Sequence, residues 1–106
     1  MKKNPVLIEV GLNLDIDTKR LFQTVERGDQ SFLLDVSRVD NIDIASLSLL
    51  SQAQAKLQKH GHTIALIQPS AYLRTWLYVT KLHQILPSFP NLSLGNQYLQ
   101  KLQKHA

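Results

Sequence analysis

Apolar residues fall along this chain in short runs and helical stripes that alternate. Val6 to Leu14 carries enough Val, Ile and Leu for a strand, and Asp15-Ile16-Asp17-Thr18 behind it supplies oxygens suited to capping a helix. Leu21, Phe22 and Val25 recur at i, i+1 and i+4, which predicts a helix from near Thr18 to about Arg27. Gly28 stands where a left-handed C-terminal cap belongs. Ser31-Phe32-Leu33-Leu34-Asp35-Val36 is a short apolar run, the pattern of a buried strand flanked by helices.

The segment from Ile44 to Lys59, rich in Leu, Ala, Ser and Gln, predicts a longer helix with Asp43 as its N-cap and His60-Gly61 as its close. Thr63 to Ile67 reads as another buried strand. Pro69-Ser70 opens a further helix, capped by Ser70, with Leu73, Trp76, Leu77 and Thr80 directed inward. A short strand is expected around Ile85 and Leu86, interrupted by Pro87. Ser93 is the expected cap of a last helix, in which Leu94, Tyr98, Leu99 and Leu102 form the apolar stripe and Lys101 and Lys104 the wet one. Strand and helix alternate throughout, so the expectation is a set of βαβ units with right-handed crossovers on a largely parallel sheet.

A length of 106 residues fits one domain with a single core. The absence of cysteine removes disulfides, thiolate metal sites and cysteine nucleophiles, and suits a reducing cytoplasm. The basic opening, Met1-Lys2-Lys3, resembles the start of a signal peptide, but Glu9 ends the apolar run too early for one. No stretch approaches the roughly 20 apolar residues of a membrane span, so any membrane role is expected to come through a partner.

Charge is divided unequally. All eight acids lie at or before Asp43, where six Lys or Arg accompany them; the remainder of the chain holds six Lys or Arg and no acid. That half of the molecule favours acidic protein surfaces or other polyanions, unless the cations are merely solvated helix faces.

Candidate chemistry is sparse. The four glycines are far apart, so there is no phosphate-binding loop, and no cofactor is expected. His60-Gly61-His62 lacks the carboxylates or further imidazoles that a metal site requires, and reads as a polar turn. No serine sits in a strained nucleophile turn flanked by glycines, so no catalytic residue is assigned. The cations lack interleaved aromatics for base stacking, which argues against specific nucleic-acid binding.

One segment stands apart: Leu33 to Leu50, in which a strand ends, a short turn follows, and Asp43 caps a helix whose first turn is built from small residues. At about 100° per residue, Ser46, Leu50, Ala53 and Leu57 point toward the sheet, whereas Ala45, Ser48, Gln52 and Lys56 point away. Small uncharged side chains at a helix start leave its backbone N–H groups approachable by a protein or an anion. The alternative is that Ala and Ser are simply tolerated there.

Leu34-Asp35-Val36-Ser37, a turn, and then Asp43-Ile44-Ala45-Ser46-Leu47 leading into a Leu-rich helix resemble the STAS family. Gly11 to Ile16, the turn at Gly61, the helix from Ser70 to Leu82 and Phe89 to Leu94 fall where that family places its other elements. The resemblance runs from about Val6 to the C-terminus and implies one domain over 1–106. Its implied fold is α/β, a mixed, mostly parallel sheet of four to five strands with about four helices.

Family members that switch partners are phosphorylated just after the Asp, at positions that correspond here to Ile44 or Ala45. Neither carries a hydroxyl. Ser46 and Ser48 are the nearby serines that modification could reach. Within the family, the chain looks most like the small cytosolic subunit of the Mla-type phospholipid-transport ABC system. That implies a non-catalytic subunit docking an ABC transporter ATPase through Asp43, Ile44, Ala45, Ser46, Ser48 and Gln52, in the cytoplasm or peripherally on the inner membrane. The alternatives are an anti-sigma-factor antagonist whose partner is an anti-sigma factor, and a module that binds a small ligand or nucleotide.

Overall fold

The computed structural model describes residues 6–10, 30–42 and 44–104. The expected helix over 18–27, the continuation of the first strand through Leu14 and the Asp43 cap lie outside the described residues.

Among the described residues four strands, β1 (Val6–Glu9), β2 (Phe32–Asp35), β3 (Ile64–Ile67) and β4 (Ser88–Phe89), form a sheet in that order. All three pairings are parallel, with Val6 beside Phe32, Phe32 beside Ile64, and Leu66 beside Ser88. The connections hold α1 (Ile44–Lys59) between β2 and β3, and α2 (Ala71–Val79) between β3 and β4; α3 (Leu92–Lys104) follows β4. The α/β class and the parallel sheet are as the alternating pattern predicts.

Side-chain alternation along β2 and β3 explains why both are apolar throughout. Phe32, Leu34, Ile64 and Leu66 face one side and pack with Leu47, Leu50 and Leu57 of α1 and Leu73 and Leu77 of α2. Leu33, Ala65 and Ile67 face the other, against Leu99, Tyr98 and Phe89. Right-handed crossovers along a sheet of sequential strand order put α1 and α2 on the same face, and α3 closes the opposite one. Each fully buried Leu or Ile contributes roughly 2 kcal/mol of transfer free energy, so each layer depends on a few such side chains.

Helix ends follow their side-chain chemistry. Ser70 caps α2, its Oγ accepting from the Leu73 N–H. Gly61 closes α1 at φ 78, with the Gly61 N–H donating to Gln58 O and the His62 N–H to Leu57 O, a Schellman motif. His60 and His62 therefore belong to a turn.

The last third departs from expectation in three places. Ile85 and Leu86 are not a strand: α2 stops at Val79, Lys81 turns left-handed at φ 64, and Leu82–Gln84 is a 3-10 turn. The strand lies beyond Pro87, whose carbonyl accepts from the Leu66 N–H while that of Phe89 accepts from the Gln68 N–H. The cap of α3 is Asn91, not Ser93: Asn91 Oδ1 accepts from the Leu94 N–H. That start places Gly95 and Leu99 against the sheet and leaves Leu94 42% exposed.

Candidate functional site

Because every described strand is parallel, the carboxyl ends of the strands and the N-terminal ends of α1 and α2 share one end of the molecule. The turn leaving β2 is held there by its own side chains. Asp35 Oδ1 accepts from both the N–H and the hydroxyl of Ser37, at 3.0 and 2.8 Å. Val36 and Val39 are buried, and the Val39 carbonyl accepts from Ser70 Oγ at 2.6 Å. The Ser70 N–H reaches the Val36 carbonyl, so the approach to α1 is fastened to the start of α2.

The chain then enters α1 with Leu47 and Leu50 buried and no acid in the first turn. Ala45, Ser48, Gln52 and Lys56 are all exposed, one continuous outward face as the helical spacing predicts. Ser46 is 4% exposed and points to the core with Leu50, Ala53 and Leu57. It is therefore a core position here, not part of the outward face, and is closed to modification in this state. Ile44 begins the helix, and Asp43 lies outside the described residues. Of the residues singled out from sequence, the fold thus brings Ala45, Ser48 and Gln52 together at the surface.

Two further features were not marked from sequence. A cleft of about 270 Å³ at the carboxyl ends of β1 and β2 is lined by Glu9, Val10, Asp35, Ser37 and Arg38, with Glu9 next to Asp35 in register. On α2, Tyr72, Thr75, Trp76 and Val79 line an apolar depression of about 340 Å³. Their i, i+3, i+4, i+7 spacing was the available signal, but Trp76 reads as core from sequence. It is in fact half-buried, touching the core with one side only.

Among the described residues no group of three or more His, Asp or Glu side chains could hold a metal ion, and no helix is long and apolar enough to cross a membrane. What the described residues offer at this end of the molecule is surfaces and caps.

Solved structures share this architecture. An anti-sigma-factor antagonist (STAS) domain protein from Planctomyces limnophilus superposes with a TM-score of 0.76 at 14% identity, over 94% of this chain and 95% of that one. A candidate anti-sigma factor antagonist from Thermotoga maritima gives 0.74 at 20% identity, over 89% and 87%. A sulfate transporter family protein from Wolinella succinogenes gives 0.75 at 19% identity, over 98% and 92%. Likeness at that level of identity carries the fold alone. None of the curated proteins matches the chain. The sequence pattern of the STAS domain matches residues 15–94, from ahead of the predicted first helix to the first turn of α3, and the chain belongs to the STAS domain family.

Proposed function

We propose that this chain is a non-catalytic STAS subunit that docks a protein partner through the N-terminal part of α1, and that the partner is the ATPase of an Mla-type phospholipid-transport ABC system. The supporting observation is the outward face of α1: Ala45, Ser48 and Gln52 are exposed, small or neutral, and adjacent to no acid in the first turn. Such a face lets a partner approach the helix backbone closely, and the positive end of the helix dipole favours a carboxylate or other acceptor. Asp43 is proposed as the cap that keeps the turn in shape, and Ile44 as an apolar contact beside it.

The surface has a fixed state on this reading. A phosphoryl group at a helix N-terminus switches partners by adding about two negative charges, and neither Ile44 nor Ala45 can accept one. Ser46 is enclosed, which leaves Ser48 as the exposed hydroxyl one turn later. Phosphorylation of Ser48 would put that charge on the docking face itself, and intact-mass measurement on native protein detects it. The chain acts in the cytoplasm, held at the inner membrane through its partner.

A second reading is a partner-switching regulator bound to an anti-sigma factor, for which the fold is available, since the Planctomyces limnophilus anti-sigma-factor antagonist (STAS) domain protein shares it. Co-purification from the native host separates the two. The tagged chain should retain a transporter ATPase and lose it on Ala45→Arg, because a guanidinium forced into a closed contact costs several kcal/mol. Retention of a kinase-like anti-sigma factor instead selects the second reading. Complexes indifferent to Ala45→Arg would remove α1 as the docking surface.

A further inference from the structure

We infer that α2 carries a second docking surface, which takes an amphipathic helix of a partner protein bearing carboxylates along its apolar stripe. This inference does not depend on what α1 binds. Tyr72 is 41% and Val79 69% exposed, and with Thr75 and Trp76 they form a single apolar strip along the helix. The strip is anchored rather than loose. Trp76 packs its inner side on the core, and the Tyr72 ring meets it edge-on at 6.4 Å, so neither ring must be ordered again on binding.

Tyr72 to Val79 spans two helical turns, roughly 10 Å. A helix laid along it can offer its own i, i+3/i+4, i+7 side chains, the usual geometry of helix-in-groove recognition. Tyr72 and Trp76 are of the residue types enriched in binding hot spots.

Charge identifies the occupant. Neither α1 nor α2 contains an Asp or Glu, whereas Lys56, Lys59 and Lys81 are exposed on or beside them; Arg74 of α2 faces another side, with Phe89 and Pro90. Both helices run against parallel strands, so their C-terminal ends lie at the same end of the molecule; Lys81 follows Val79 by two residues, and Lys56 and Lys59 stand in the last turn of α1 at that same end. An occupant with carboxylates at that end is attracted and one with cations is repelled. A second copy of the chain would bring two such acid-free, basic layers together, which like-charge repulsion opposes.

Trp76 is the only tryptophan, so its emission reports on this strip directly. The whole chain is titrated with two synthetic amphipathic helices that share a Leu stripe, one flanked by Glu and one by Lys. Expected are a saturable blue shift with the Glu peptide, binding about tenfold weaker for the Lys peptide, and loss of about tenfold on Val79→Glu with the far-ultraviolet spectrum unchanged. Tyr72→Ser serves as a second variant and should weaken binding likewise, while Ala45→Arg should leave it unaltered. The inference is overturned by no shift with the Glu peptide, by equal binding of both peptides, or by variants that leave the shift intact. It is also overturned if sedimentation shows the chain alone to be a dimer that Val79→Glu dissociates, since a second copy then covers the strip. None of these results bears on α1, whose docking is read from Ala45→Arg and the native partner.

Discussion

Gln54 joins three segments through one side chain. Its amide nitrogen donates to Thr63 Oγ1 and to the Ile85 carbonyl, both at 2.8 Å, and its oxygen accepts from the Ile64 N–H at 2.8 Å. The residue is buried, and among the described residues no buried side-chain polar atom lacks a partner. Replacing it by Leu keeps the volume but strands the buried Ile64 N–H and takes the partner from the part-buried Ile85 carbonyl, at about 1–3 kcal/mol for each orphaned group. Thermal melting of Gln54→Leu should fall by about 10 °C or more; a change of only a degree or two would mean that water has taken over both groups. Helical spacing puts Gln54 between Leu47 and Leu50 on the inward face, unlike Gln52 and Gln58, which are exposed on the same helix, but it does not say what the amide bonds to. Its role exists only because the segment after α2 passes close to the start of β3, a tertiary fact that local pattern does not carry.

Elements were legible in proportion to their length and periodicity. The 16 residues of α1 hold enough turns for spacing to fix its faces, and Ser46, Leu50, Ala53 and Leu57 are buried while Ala45, Ser48, Gln52 and Lys56 are not. β2 and β3 were legible because strands covered on both faces are almost wholly apolar, Asp35 at the end of β2 being the exception. From Lys81 to Asn91 the pieces are two or three residues long, and propensity there cannot choose between Ile85-Leu86 and Ser88-Phe89 as the strand. The same limit hid the start of α3. Asn91 and Ser93 are both sound caps, and in the fold α3 starts at Leu92 with Gly95 packed over Ile67 of β3. A Cβ at Gly95 would collide with Ile67 Cδ1 and approach Leu33 Cδ2 at 3.3 Å. Ile67 is itself 3% exposed and has little room to turn. Gly95→Ala should therefore lose more to overpacking, about 1–3 kcal/mol, than the roughly 1 kcal/mol that alanine gains in a helix interior. Urea unfolding should show a net loss of stability, and a gain would mean that Ile67 finds another rotamer at no cost.

At the scale of the whole molecule, the sheet divides two tasks. One face meets α1 and α2, which carry both proposed docking surfaces, and the other meets α3, which has no part in either. What α3 supplies is most of the cover for Leu33, Ala65 and Ile67, since its Leu99 and Tyr98 pack against them together with Phe89 of β4. If both faces belong to one cooperative unit, docking depends on α3 although no partner touches it. A chain ended after Pro90 tests this, because it keeps every residue of α1 and α2 and removes the cover from three apolar side chains on β2 and β3. Exposed sheet of that kind binds hydrophobic dye and loses the fixed surroundings of its aromatic rings. The truncated chain should therefore raise 8-anilinonaphthalene-1-sulfonate fluorescence, lose near-ultraviolet dichroism from Trp76, and melt without a sharp transition. Partner binding through Ala45 should fail with it, even though that residue lies on the opposite layer. Retention of a sharp melt within a few degrees of the full chain would show instead that the α1 and α2 layer folds as its own unit, and that the two faces of the sheet are energetically separate.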